Sequence, residues 1–262
     1  MTVYDLPPEI EVESDGAIRL VRLNRPEQLN ATNHSLHQGL AALFPQIDAD
    51  PDVRAVVLTG NGRAFSAGGD FVYLDELIED EELRRVSLAD GRKIVTGMVS
   101  CRVPIVAAVN GPAVGLGCSL VALSDVVYMA QSAYLSDPHV AVGLVAADGG
   151  PVTWPLLTSL QLAKEYALTG ERIPAERAAA IGLVNHVCSD DEVLEQALAC
   201  AHRIAKLPKQ AVEDTKRILN IHLERAVLAC LDFALTAEHR SFSSPELRAN
   251  VDRFLAPREG TG

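Results

Sequence analysis

Short apolar runs alternate with segments of helical periodicity along the first half of the chain. Residues 17–23 alternate as a half-buried strand, 54–58 and 105–109 read as apolar strands, and 125–129 reads as a fourth. Between the first two, Leu36, Leu40, Leu43 and Ile47 recur at helical spacing, and a further helix fills the stretch around 92–99. This order of strands and helices predicts an α/β fold with a mainly parallel sheet and helices packed over it. From Trp154 onward the character changes. Leu157, Leu160, Ala163 and Ala167 recur every three or four residues, and 193–207, 211–237 and 245–255 also read as helices. Residues 1–200 are therefore expected to form the α/β core and 201–262 a helical region, with no repeat of fixed period.

One run changes that picture if misread. Residues 103–124 carry no charge over 22 positions, long enough for a membrane span. Pro104, Asn110-Gly111-Pro112, Gly115 and Gly117 divide it into a short strand, a turn and a glycine-rich helix start, so it reads as the buried centre of a soluble domain.

Composition agrees. In 262 residues, 48% are hydrophobic and 22% charged, which supplies a large core and excludes disorder. The formal charge of −12 disfavours a nucleic-acid or anionic-membrane surface. The six acids within 75–82 read as a solvated helix face or mobile loop rather than a binding site. The five cysteines (Cys101, Cys118, Cys188, Cys200 and Cys230) show no CxxC or Cys/His spacing, so neither a disulfide framework nor a metal site is expected. Residues 1–10 lack a basic start and an apolar stretch, so a cytoplasmic protein without a signal peptide is expected.

Two glycine-rich turns carry the candidate chemistry. Gly60-Asn61-Gly62-Arg63-Ala64-Phe65-Ser66-Ala67-Gly68-Gly69-Asp70 follows the strand at 54–58, and Asn110-Gly111-Pro112-Ala113-Val114-Gly115-Leu116-Gly117-Cys118 follows the strand at 105–109. Small residues allow a ligand to approach the backbone closely. If N–H groups of both turns point into one cavity, they hold one oxygen that becomes negative during reaction, each donor contributing about two to three powers of ten in rate. The plainer alternative is glycines serving tight turns. Gly115-Leu116-Gly117 lacks the full dinucleotide fingerprint and its distal acid, which disfavours a Rossmann enzyme.

The two turns, with Asn24-Arg25-Pro26-Glu27-Gln28-Leu29-Asn30-Ala31 and with Leu168-Thr169-Gly170 through Ile181-Gly182-Leu183-Val184-Asn185, resemble the enoyl-CoA hydratase/isomerase (crotonase) superfamily in order and spacing over about residues 16–210. The resemblance implies a ClpP/crotonase-like spiral of ββα units and a helical C-terminal region that makes trimers or dimers of trimers. It implies an acyl-CoA thioester substrate, with CoA as part of the substrate and no separate cofactor. It implies oxyanion donors at the N–H groups of Gly69 and Leu116. Ala67, Gly69 and Phe71 match positions that line the adenine and pantetheine path, Gly115 is counted with them as substrate- or CoA-binding, and Arg25 matches a position near the CoA phosphates.

Two positions depart from that pattern. Where hydratases of the family carry two catalytic glutamates, this chain has Ser119 and His139. Asp137-Pro138-His139 is followed nine residues later by Asp148, just before Pro151 in the first turn of the Trp154 helix. An aspartate beside an imidazole fixes its tautomer and raises its basicity, which points to His139 as general acid/base with Asp148 orienting it or sharing the proton. The plainer alternative is an interior histidine and a turn aspartate. Ser119 reads either as a hydrogen-bonding residue for water or substrate or, more plainly, as a small residue on a buried helix turn; Cys118 reads as packing, His186 as a surface-loop residue and Asp70 as a helix cap. Hydration/dehydration or double-bond isomerisation is the reaction class expected. The Pro-His, Asp-Gly and Trp-Pro pairs also resemble the β-diketone C–C hydrolases typified by 6-oxocamphor hydrolase, which use no CoA, and loss of both glutamates fits a catalytically silent acyl-CoA-binding member.

Overall fold

The computed structural model describes residues 4–256. The first three residues of the stretch read as lacking a signal peptide, and the last six of the C-terminal region, lie outside the described residues. The strands are β1 (Ile10–Asp15), β2 (Ile18–Leu23), β3 (Ala55–Gly60), β4 (Ile105–Val109), β5 (Ala113–Val114), β6 (Val126–Ala130), β7 (Tyr134–Ser136), β8 (Ile173–Pro174) and β9 (His186–Cys188). The helices are α1 (His34–Ala49), α2 (Phe71–Glu79), α3 (Glu81–Ser100), α4 (Leu116–Ala122), α5 (His139–Val142), α6 (Gly150–Leu157), α7 (Leu160–Thr169), α8 (Ala175–Ala180), α9 (Val193–Ala205), α10 (Lys209–Ala226), α11 (Asp232–Ser241) and α12 (Pro245–Leu255).

One sheet has the order β1-β2-β3-β4-β6-β9, antiparallel between β1 and β2 and parallel thereafter; a smaller one has the order β5-β7-β8. Every residue of β3 and β4 is buried, as expected for central parallel strands covered on both faces. β1 instead alternates between inward and outward positions at the sheet edge. Leu36, Leu40, Leu43 and Ile47 all lie on the buried stripe of α1, which packs on α3. Asn33 caps α1 by accepting from the Leu36 N–H at 2.9 Å. The α9 helix crosses β3, β4 and β6. The uncharged stretch 103–124 becomes β4, β5 and the buried α4, and no described helix is long and apolar enough to cross a membrane.

The structure corrects two local expectations and settles a third. The stripe from Leu157 to Ala167 is broken: α6 ends before Thr158, Ser159 caps α7 by accepting from the Leu162 N–H, and Leu157 and Leu160 are exposed. The acids at 75–82 form a mostly exposed helix face at the junction of α2 and α3, as one of the two readings expected. Asp80 accepts from the Leu83 N–H, and Asp75 pairs with Arg248 of α12 at 2.6 Å. His186 sits on β9, stacked on Tyr128 with ring centroids 4.6 Å apart, rather than in a loop. Residues 211–237, read as one helix, hold a helical path through a π-helical turn at Val227–Leu231.

Candidate active site

The two glycine-rich turns lie side by side, and side-chain amides fix their shape. Leu29 and Asn30 both take positive φ, which turns the Asn30 amide inward. Its Nδ2 donates to the carbonyls of Asn61 and Ala64 at 2.9 and 2.8 Å, and its Oδ1 accepts from the Arg25 N–H. From the second turn, Asn110 Nδ2 donates to Gly60 and Gly62, both at 2.9 Å. Ser66 accepts from the Val114 N–H at 2.9 Å, so the turns are joined backbone to backbone. They touch where side chains would interfere. A Cβ on Gly68, at φ +90°, would lie 3.0 Å from the Val114 carbonyl oxygen, and one on Gly117 would lie 2.7 Å from Ser66 Cβ.

Just beyond these contacts Gly69 and Leu116 line one cavity of about 210 Å³. Their backbone N–H groups donate to no acceptor among the described residues, whereas the neighbouring Gly115 and Asp70 N–H groups are occupied by Ser136 and Thr32. Two unused donors on residues that line one cavity are suited to holding a single oxygen.

His139 reaches the same cavity from the first residue of α5, and its Cε1 lies 3.6 Å from the Cβ position of Gly115. Its Nδ1 bonds the buried Asp137 carboxylate. Its Nε2 lies 3.4 Å from Asp148 Oδ2, and Ser119 Oγ donates to Asp148 Oδ1 at 2.7 Å. Burial alone would favour the neutral imidazole, but Asp148 and Asp137 outweigh it and push the His139 pKa up to about 10. Burial, opposed by His139, leaves the Asp148 carboxyl above its ordinary value. Asp137 is likewise buried, but its contacts with His139 bring it below. Below pH 10 the imidazolium therefore bridges two acids. One carboxylate stands at each ring nitrogen, so no single nitrogen faces both; this suits proton relay better than metal binding, although one ligand atom from each of the three residues lies within 4.8 Å of the others.

The predicted residues do not all meet. His139, Asp148, Gly69, Leu116, Ala67, Phe71 and Gly115 line the cavity. Ser119 does not: it is buried behind Asp148 and acts on the cavity through that carboxylate. Arg25 is also off the cavity wall, ion-paired at 3.0 Å to Asp70, which caps α2 by accepting from the Val72 N–H. The orienting contact to His139 comes from Asp137, two residues away in the same turn, while Asp148 takes the outer nitrogen. Glu238 of α11 is a further cavity residue with no signal in the sequence beyond one acid on an amphipathic helix. Burial, only partly opposed by His139, raises its pKa to about 8. Cys118 is buried with a raised thiol pKa, as packing requires.

Fold and site together define a crotonase-type protein. A family model described as enoyl-CoA hydratase/isomerase matches residues 13–260, and the chain belongs to that family. It is 31% identical over 95% of both chains to a probable enoyl-CoA hydratase of Rhizobium meliloti, and 38% identical to a putative enoyl-CoA hydratase of Thermus thermophilus over 80% of this chain and 83% of that one. The crystal structure of an enoyl-CoA hydratase/isomerase from Mycobacterium paratuberculosis superposes with a TM-score of 0.94 at 63% identity, covering 95% of this chain and 100% of that one.

Proposed function

We propose that this chain catalyses hydration/dehydration or double-bond isomerisation of an acyl-CoA thioester. The thioester oxygen would accept from the N–H groups of Gly69 and Leu116, which stabilises the enolate formed when a proton leaves Cα or water adds at Cβ. Asp148 and His139 divide the proton transfer. In the hydration direction Asp148 takes a proton from water as its oxygen bonds Cβ, and the imidazolium of His139 then protonates Cα. In isomerisation Asp148 removes one proton and His139 returns one at the other end of the allylic system. Asp137 holds the imidazole from behind.

The observation that carries this reading is the convergence of two unused backbone donors, His139 and Asp148 on one cavity. It also accounts for the missing glutamates. Ser119 holds the Asp148 carboxylate 2.7 Å from its own hydroxyl, about where a longer acidic side chain at position 119 would end. His139 stands at the second position. The exposed apolar residues Leu228, Phe233 and Phe254 on the C-terminal helical segments support assembly as a homotrimer or dimer of trimers.

Turnover of 2-enoyl- and 3-enoyl-CoA thioesters by the wild type, Asp148→Asn and His139→Ala tests the proposal. Loss of about two or more powers of ten in either variant is expected. Equal turnover by all three contradicts the assigned roles. Thioester binding without turnover indicates a silent acyl-CoA-binding member, and no thioester binding indicates the C–C hydrolase branch.

A further inference from the structure

One wall of the cavity is more polar than an acyl pocket needs. On α3 the residues facing it are Arg84, Ser87, Leu88 and Gly91, an i, i+3, i+4, i+7 stripe. The same helix turns apolar afterwards, where Ile94, Val95, Met98 and Val99 enter the core. Arg84 is only 8% exposed. One of its five donors reaches the Leu77 carbonyl at 3.3 Å, and its guanidinium lies 5.7 Å from the centre of the Phe242 ring. Its Nε is buried without a partner, and it forms no ion pair among the described residues. A buried guanidinium in that state is costly unless an anion joins it.

The surroundings favour an anion. His37 lines the cavity with a buried, unpartnered Nδ1 and is neutral, burial pushing its pKa down to about 4; Ser87 and Tyr73, whose hydroxyl also meets His34 Nδ1 at 3.3 Å, add hydroxyls. The nearby Asp90 is engaged by Lys93 at 2.8 Å. Glu238, the other cavity acid, takes its electrostatic neighbours from the His139, Asp148 and Asp137 end, so it does not serve as the counter-ion of Arg84. The cavity thus has an acid/base end and a cationic end, with apolar Leu77, Leu88 and Leu144 on its walls.

We propose that Arg84 binds a carboxylate at the far end of the acyl chain, so that the substrate class is the mono-CoA thioesters of dicarboxylic acids. A carboxylate fits the planar fork of an arginine, and Ser87, Tyr73 and His37 offer donors to its remaining lone pairs. This rests on the acyl-CoA reading above and deepens it. Proton chemistry at the other end is unchanged.

The test is binding, by calorimetry, of saturated thioesters, which can be neither hydrated nor isomerised. Mono-CoA thioesters of dicarboxylic acids are compared with fatty acyl-CoAs of equal carbon number, over a short series of lengths. At the fitting length the wild type should prefer the carboxylate-ended ligand by roughly ten- to a hundredfold, the range of one charge-assisted contact. Arg84→Met should abolish that ratio, and Arg84→Lys, which keeps the charge and the fold, should retain part of it. Equal binding of both series at every length, or a ratio untouched by Arg84→Met, overturns the proposal and leaves the acyl-CoA reading standing. If neither series binds, that reading fails and this proposal with it.

Discussion

At the scale of single residues, what distinguishes this site is an imidazole held between two carboxylates. Exchanging Asp137 for Asn removes the charge behind Nδ1 while keeping a hydrogen-bonding group. Turnover should fall by at least tenfold, and the alkaline limb set by His139 near pH 10 should move down, since one of the two acids that raise it is gone. A pH profile of kcat/KM measures both effects. Glu238 gives a second, independent check. Its folded pKa of about 8 exceeds the ordinary 4.5, so the folded state keeps a proton that the unfolded chain releases. Its contribution to stability is full below pH 4.5 and is lost as the pH rises through 8. Glu238→Gln stays neutral throughout, so its melting temperature relative to wild type should rise between pH 5 and pH 9. A constant difference across that range would show that the carboxyl is not buried as described.

At the scale of elements, the glycine-rich turns are held by Asn30 and Asn110 and need their glycines where backbones meet. Gly68→Ala places a Cβ 3.0 Å from the Val114 carbonyl oxygen at a positive φ. It should cost about 1 to 3 kcal/mol in urea unfolding and should lower kcat by more than the lost stability explains, because Gly69 moves with it. Both turns, the four strands beside them and the α1 stripe were legible in the sequence, since long apolar runs and i, i+4 leucines report burial directly. The short elements were not. β5, β7, β8 and β9 have two or three residues each, too few for any period to show, and β1 reads as polar because its outward positions are acidic. At the site, His139 was legible from its family position and Asp148 from its spacing just before the Trp154 helix. Asp137 as the orienting partner was not, because the short turn of α5 decides which carboxylate meets which nitrogen. Arg84, Tyr73 and Glu238 come from α3, α2 and α11, brought together only by helix packing that no local pattern encodes.

At the scale of the whole molecule, the C-terminal helical segments lie over the cavity and also carry the most exposed apolar side chains. Leu235, Glu238 and Phe242 face inward, whereas Leu228 is 85% and Phe233 72% exposed. Under the proposed assembly these side chains would lie between copies of the chain. Light scattering coupled to size exclusion should therefore show a trimer or hexamer, and Leu228→Glu with Phe233→Glu should shift it towards monomer. A monomeric wild type would contradict that assignment.

In the proposed chemistry the cavity forms an enolate under the joint action of its two backbone donors and the Asp148–His139 pair. The most direct measurement of that step is exchange of the α-protons of a saturated acyl-CoA thioester in deuterated water, followed by mass spectrometry. The wild type should incorporate deuterium at Cα, and Asp148→Asn and His139→Ala should lose that exchange by about a hundredfold or more. Exchange that proceeds equally in all three proteins, or is absent from a wild type that binds the thioester, would rule out enolate formation by this pair.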